Sequence, residues 1–220
     1  METTEQYPLH DVGLWLELRT SYRWDGKGAL FLDRDGVVVE ETHYICKAED
    51  VRMIQGAAET IRWANEKNMP VVIVTNQAGI GRGYYDWSGF KEVQHVIHTA
   101  LEQKGAHIDM VLACAYHKDG VLPYVHQDHH WRKPNPGMIE QAAEQLSIEL
   151  HQSLLIGDKV SDLIAASRAK IGYGCLVKTG YGKQEAKLLD AAELAPMVAG
   201  VAEDIDGAII SAVERGWLAD

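Results

Sequence analysis

The stretch ALFLDRDG, residues 29–36, opens the regular part of the chain. Four apolar residues, Ala29 to Leu32, run unbroken and then give way to Asp33, Arg34, Asp35 and Gly36. So short an apolar run, closed by polar residues and glycine, reads as a strand buried on both faces. The same pattern returns in VVIVT (71–75), DMVLACAY (109–116), SLLIGD (153–158) and CLVK (175–178). Between these runs, apolar residues recur at helical spacing: Ala57, Ile61 and Ala64 within 56–68, and Phe90, Val93, Ile97 and Leu101 within 87–104. Residues 136–146, 161–169 and 204–215 read as helices on the same grounds. Strands that alternate with helices require a mainly parallel sheet covered on both faces. The expected fold is α/β, a single doubly wound sheet.

A chain of 220 residues suffices for one such domain. Residues 28–220 are assigned to it, and residues 1–27 to an N-terminal extension that packs on the core. Within the extension, DVGLWLELR (11–19) reads as a short amphipathic helix. The formal net charge of -11 disfavours a broad basic face for nucleic acid or anionic membrane. Three widely spaced cysteines do not make a disulfide framework. No stretch approaches the roughly 18 apolar residues of a membrane span, and the polar, acidic start is unlike a signal peptide. The expectation is a cytoplasmic protein, monomeric or a small homo-oligomer.

In doubly wound sheets, ligands bind beyond the carboxyl ends of the strands. Asp33 and Asp35 stand after the first strand, two residues apart, so an extended backbone points both the same way. Thr75, Asn76 and Gln77 close the second strand, Arg132 and Lys133 follow the third, and Asp158 and Lys159 follow the fourth. Carboxylates gathered at one edge repel unless a cation joins them. Oxygen donors alone suit Mg²⁺, which shares the rest of its shell with water and phosphate. Thr75 and Lys133 complement a phosphoryl group. Spacing alone therefore points to Mg²⁺-assisted phosphoryl transfer, with one carboxylate as nucleophile and the other as acid/base. Each piece has a plain alternative, a turn or a glycine-rich connection, and TNQAGIGRG lacks the Lys-Ser/Thr of a P-loop. The whole set, in this order and always at strand ends, is far harder to read that way.

Asp33-Arg34-Asp35-Gly36-Val37, Thr75, Lys133 and Gly157-Asp158-Lys159-Val160-Ser161-Asp162 together resemble the four motifs of the haloacid dehalogenase (HAD) superfamily of phosphohydrolases. The fuller wording (FLDRDG, VVIVTNQAGIGRG, RKPNPGM, IGDKVSDL) is similar to its branch of heptose-bisphosphate and histidinol-phosphate phosphatases, over residues 28–180. The resemblance implies a minimal cap and an aspartyl-phosphate on Asp33. It implies Asp35 as the acid that protonates the leaving oxygen and then the base that activates water. Mg²⁺ would be held by Asp33, the backbone carbonyl of Asp35, and Asp158. Thr75, Asn76 and Lys133 would hold the phosphoryl group, with Gln77 beside them. Arg132, Lys159, Glu41, Thr42, His43 and Tyr44 would contact the rest of the substrate, with Arg82 a further basic candidate. The implied substrate is a small phosphorylated sugar, first the 7-phosphate of a heptose 1,7-bisphosphate. The alternatives are histidinol phosphate or another small monoester, a DNA 3′-phosphate, or a non-catalytic role binding a phosphorylated ligand.

The same branch carries a structural zinc in the loop before Arg-Lys-Pro. Aligned on Arg132-Lys133-Pro134, its four ligand positions fall on Cys114, Tyr116, His129 and Trp131. Two of these can ligate zinc and two cannot, whereas a structural site needs four N or S donors. The expected reading is a histidine-rich loop without zinc. The alternative is a rearranged set of Cys114, His117, His126 and His129.

Overall fold

In the computed structural model, which describes residues 7–192 and 194–218, Leu30–Leu32 forms a central strand of an eight-stranded sheet. In chain order the strands are β1 (Leu9–Asp11), β2 (Leu14–Leu18), β3 (Leu30–Leu32), β4 (Val71–Asn76), β5 (Met110–Cys114), β6 (Leu154–Gly157), β7 (Tyr173–Val177) and β8 (Val198–Ala202). They lie side by side as β1-β2-β5-β4-β3-β6-β7-β8. From β5 to β8 every neighbouring pair is parallel, while β2 runs antiparallel to β5 and β1 antiparallel to β2.

Alternate residues of the strands feed two apolar layers. Leu30, Leu32, Val71 and Ile73 face one layer, and Phe31, Val72 and Val74 face the other. Helices α1 (Ala57–Glu66), α3 (Trp87–Glu102) and α7 (Ile205–Glu214) cover the first through Ile61, Phe90, Ile97, Ile205 and Ala208. Helices α4 (Gly137–Leu146) and α5 (Val160–Arg168) cover the second through Met138, Ile139, Ala142 and Leu163. Two short helices, α2 (Ala78–Gly81) and α6 (Gly182–Glu185), follow β4 and β7. The architecture is a doubly wound α/β sheet.

Residues 11–19 differ from expectation. They are not a helix: β1 and β2 form a hairpin that extends the main sheet, with Trp15 opposite Ala113 of β5. Leu14 joins one core layer and Trp15 the other, so the segment is used with a period of two. GLWLEL satisfies either period, and the unpaired backbone edge of β5 decides between them. Residues 198–202, left unassigned by the sequence, add β8 at the far edge.

The chain leaves β3 for β4 and β5 on one side and later returns to β6, β7 and β8 on the other. The reversal of strand order opens a crevice at the carboxyl end of β3, the position where such sheets bind ligands. No helix among the described residues is long and apolar enough to cross a membrane.

Candidate active site

A cleft of about 510 Å³ occupies that crevice. Among its lining residues are Asp33 and Asp35 after β3, Thr75, Asn76 and Gln77 at the end of β4, Arg132 and Lys133 from the loop after β5, and Lys159 and Asp162 after β6. Glu41, His43 and Tyr44 form one rim. Of the residues singled out from the sequence for substrate, Thr42 and Arg82 do not line the cleft; Thr42 is exposed to solvent.

Asp33 lies just beyond β3 and is nearly inaccessible. Its Oδ1 accepts from the Arg34 backbone N–H at 2.8 Å and pairs with Lys133 Nζ at 3.0 Å. Lys133 Nζ also pairs with Asp162 Oδ1 at 2.7 Å and donates to the Val74 carbonyl at 2.7 Å. Burial opposes the charge on Lys133, but Asp162 and Asp33 outweigh it and hold its pKa above the ordinary lysine value. Burial likewise works against ionised Asp33, but Lys133 and Lys159 overcome it and bring its pKa below the usual carboxylate range. Asp33 is thus an anion at neutral pH.

Asp158, fully buried, accepts from the Tyr181 N–H at Oδ2 and pairs with Lys159 Nζ at Oδ1. Gly36 and Gly180, both with positive φ, press against this carboxylate, and a Cβ at either position would collide with Oδ2. Burial, and then repulsion from Asp33, pushes Asp158 up to about 7. Asp33, Asp158 and Asp162 each bring one oxygen within 4.8 Å of the other two. This is a hard, all-oxygen donor set of the kind Mg²⁺ takes, and a cation there would relieve the repulsion that raises Asp158. Among the described residues no second group of three or more His, Cys, Asp or Glu converges in this way. Asp162 was not singled out as a ligand, although it ends the fourth motif.

Asp35 also stands past the end of β3 rather than on it. The buried guanidinium of Arg34 grips it with two hydrogen bonds, Nε to Oδ1 at 2.9 Å and Nη2 to Oδ2 at 3.0 Å. Gln77 Nε2 donates to the same Oδ2 at 2.9 Å and to Thr75 Oγ1 at 2.9 Å, while its Oε1 accepts from Arg34 and from the Tyr85 hydroxyl. Asn76 spans the backbone of Lys133, donating to its carbonyl at 2.9 Å and accepting from its N–H at 3.1 Å. Asn76 and Gln77, expected to bind substrate, therefore spend their amides on Lys133 and Asp35.

The rim carries backbone strain. His43 and Tyr44 adopt consecutive left-handed conformations, φ 57 and 67, which non-glycine residues take at a cost and which cluster at functional sites. His43 Nδ1 pairs with the Tyr181 hydroxyl at 3.0 Å, and the Tyr181 ring lies under Lys159 Nζ, 4.6 Å from its centre. Tyr44 OH accepts from Arg82, which does not itself line the cleft. The sequence reading passed over Tyr181 and Tyr85. Tyr181 was findable, because it follows the carboxyl end of β7 by the rule that exposed the other motifs.

A model of the HAD-hydrolase-like family matches residues 130–208. Over 210 residues, 91% of this chain and 94% of the relative, the sequence is 39% identical to a D-glycero-beta-D-manno-heptose-1,7-bisphosphate 7-phosphatase of Mesorhizobium japonicum. The chain belongs to the HAD-like phosphatases. A D-glycero-alpha-D-manno-heptose-1,7-bisphosphate 7-phosphatase of Photorhabdus laumondii is also 39% identical, over 155 residues that make up 70% of this chain and 85% of that one. Among solved structures, the D,D-heptose 1,7-bisphosphate phosphatase of B. bronchiseptica, complexed with magnesium and phosphate, superposes with a TM-score of 0.72. It shares 26% identity and covers 86% of this chain and 99% of its own. This HAD-like phosphatase is accordingly a phosphoric monoester hydrolase.

The rearranged zinc set does not come together in it. Cys114 is buried in the core layer that contains Leu14, Leu112 and Met138, and burial pushes its thiol up to about 12. Both ring nitrogens of His117 are engaged, Nε2 with Arg82 at 3.2 Å and Nδ1 accepting from the Asp119 N–H at 3.0 Å. His129 lies flat on Tyr116, with ring centres 3.6 Å apart, and its Nδ1 accepts from the Trp131 N–H. These residues do not fit a tetrahedral zinc site.

Proposed function

We propose that this HAD-like phosphatase removes the 7-phosphate of D-glycero-D-manno-heptose 1,7-bisphosphate through an aspartyl-phosphate on Asp33. The observation that carries the mechanism is the ion cluster itself. An ionised, buried Asp33 opens on the cleft, with Lys133 on Oδ1 and two further carboxylates within 4.8 Å. Among the described residues no donor reaches its Oδ2. That oxygen is the one free to attack phosphorus.

Asp33 and Asp158, with the Asp35 backbone carbonyl and the nearby Asp162, would hold Mg²⁺. When bound, Mg²⁺ neutralises charge on the transferring phosphoryl oxygens. Lys133 and the Thr75 hydroxyl stabilise the same oxygens from the protein side. As the Asp33–phosphorus bond forms, the bond to the sugar oxygen breaks, and Asp35 delivers a proton to that oxygen. Asp35, now a carboxylate, takes a proton from water as the water oxygen attacks phosphorus. Phosphate leaves and Asp33 is restored.

Support for the sugar comes from the names of the relatives and from cleft chemistry. Arg132, Lys159 and Lys118 also line the cleft and provide cationic donors for a second phosphate, with the His43 ring on the same rim. The three free cysteines fit a reducing compartment, and the cytoplasm is the proposed location.

Phosphate release tests the reading, measured with and without Mg²⁺ on both anomers of heptose 1,7-bisphosphate, fructose 1,6-bisphosphate, histidinol phosphate and a 3′-phosphorylated oligonucleotide. The heptose bisphosphate is expected to lead the others in kcat/KM by at least about tenfold, since a matched second phosphate is worth one or two charge-assisted hydrogen bonds. Chelation of Mg²⁺ should stop turnover on every substrate. Even turnover across the panel would sink the sugar assignment, and undiminished activity in chelator would sink the metal.

A further inference from the structure

Two ends of one loop meet on a single carboxylate. Asp11, at the end of β1, accepts from the Gly13 N–H at 2.8 Å and the Tyr116 hydroxyl at 3.2 Å through Oδ1, and from Trp131 Nε1 at 2.9 Å through Oδ2. Tyr116 begins the irregular segment after β5, and Trp131 ends it immediately before Arg132 and Lys133. These two residues occupy the aligned positions where a zinc-binding loop would have ligands and where this chain has none. Between them lies the flat stack of Tyr116 on His129. His10 meets the Trp131 ring edge-on from the hairpin side.

The same groups reach the cleft. Arg132 Nη1 donates to the Tyr116 carbonyl at 3.0 Å, and the Arg132 N–H donates to the His129 carbonyl at 2.9 Å. Lys133 follows directly. The position of Arg132 therefore depends on where Tyr116 and His129 sit, whereas Lys133 is held separately by Asn76, Asp33 and Asp162. Gly13 fixes that position from the other side: a Cβ there would lie 2.6 Å from two carbons of the Tyr116 ring. Held between Gly13 and His129, the ring has nowhere to retreat.

We propose that Asp11 is a positioning residue for the reaction. With Tyr116, His129 and Trp131 it forms a metal-free staple that sets Arg132 against the substrate, in place of a zinc ion. The β1–β2 hairpin supplies the piece that closes the loop. The placement of the loop stands on geometry alone. The effect on substrate rests on the functional reading given above.

The test uses Asp11→Ala, Trp131→Phe, which keeps an aromatic ring but lacks the indole N–H donor, and Gly13→Ala. Hydrogen exchange across residues 115–132, zinc content after growth with added zinc, and steady-state kinetics are measured on each. Amides in 115–132 are expected to exchange at least about tenfold faster in Asp11→Ala, the value of one charge-assisted bond, with exchange in β3 and β4 unchanged. KM for the bisphosphate should rise by about tenfold while kcat changes less than about threefold, because Arg132 binds and Asp33 reacts. Gly13→Ala should reproduce the exchange result by displacing the Tyr116 ring, without removing any hydrogen-bonding group. The wild type should bind no zinc, and strong chelation followed by restored Mg²⁺ should leave its activity intact.

Stoichiometric zinc in the wild type, or unchanged exchange in both Asp11→Ala and Gly13→Ala, would overturn the staple. Faster exchange with an unchanged KM would overturn the positioning role and leave the substrate reading to its own panel. Global unfolding of Asp11→Ala would shift the decision to Trp131→Phe, which keeps an aromatic ring at 131 and the Asp11 carboxylate.

Discussion

Asp33→Asn is expected to lower phosphate release by about 10⁴-fold or more, the loss that follows removal of a covalent nucleophile. The carboxamide keeps the shape and can still accept from the Arg34 N–H. It offers no anion to phosphorus. Folding should survive the change. Asp33 is one of three carboxylates within 4.8 Å, and Lys133 keeps its pairing with Asp162 at 2.7 Å when Asp33 is neutral. The informative comparison is with Asp35→Asn on p-nitrophenyl phosphate. That leaving group departs without a proton, so the first step no longer needs an acid, but hydrolysis of the aspartyl-phosphate still needs a base. Asp35→Asn should therefore give one equivalent of nitrophenolate per enzyme in a rapid burst and then turn over about 10²–10⁴-fold more slowly than wild type. Asp33→Asn should show neither burst nor turnover. A burst in Asp33→Asn, or none in Asp35→Asn with multiple turnovers at the wild-type rate, would reverse or abolish the two roles.

Much of this site was legible because Asp33, Asp35, Asp158 and Lys159 directly follow strands that are buried on both faces. ALFL, VVIV and SLLIG have no polar face and so cannot be anything but central strands, and their ends locate Asp33, Thr75 and Asp158 without further information. The hairpin was not legible in the same way. GLWLEL fits a helix or a strand equally, and only the open edge of β5, over 90 residues away in sequence, settles it. The partners of the polar amides were hidden for a related reason. Asn76 and Gln77 follow Thr75 and read as substrate-binding residues; both line the cleft, and their bonds to Lys133 and Asp35 come from tertiary packing that spacing does not reveal. The aligned zinc positions gave half an answer. Tyr116 and Trp131 showed that the metal ligands were missing; Asp11, which takes up both of their donors, lies outside the motif region altogether.

Arg34 was visible from the first line of the sequence, and nothing about its spacing assigned it a task. Its side chain is 1% exposed, grips Asp35 in a bidentate pair, reaches Gln77 Oε1 at 3.2 Å, and lies 5.1 Å above the centre of the Phe90 ring. It is thus a buried charge whose partner carries the acid/base role. Replacing it with Met removes the buried cation and leaves a partly exposed Asp35 that keeps its hydrogen bond from Gln77, a change that costs about 1–3 kcal/mol of stability. A misplaced Asp35 should also lower kcat by about 10²-fold, the penalty of a displacement near 1 Å at a reacting group. Arg34→Lys separates the two effects. A lysine restores a positive charge to the pocket and should recover part of the stability, but its single ammonium cannot reproduce the two-point grip that orients the carboxylate. Its kcat should stay close to that of Arg34→Met. Urea melts and steady-state rates on p-nitrophenyl phosphate measure both quantities. A lysine variant that regains full activity would show that Arg34 acts through charge alone. A methionine variant as stable and active as wild type would show that Asp35 is oriented by Gln77, whose Nε2 donates to the same oxygen.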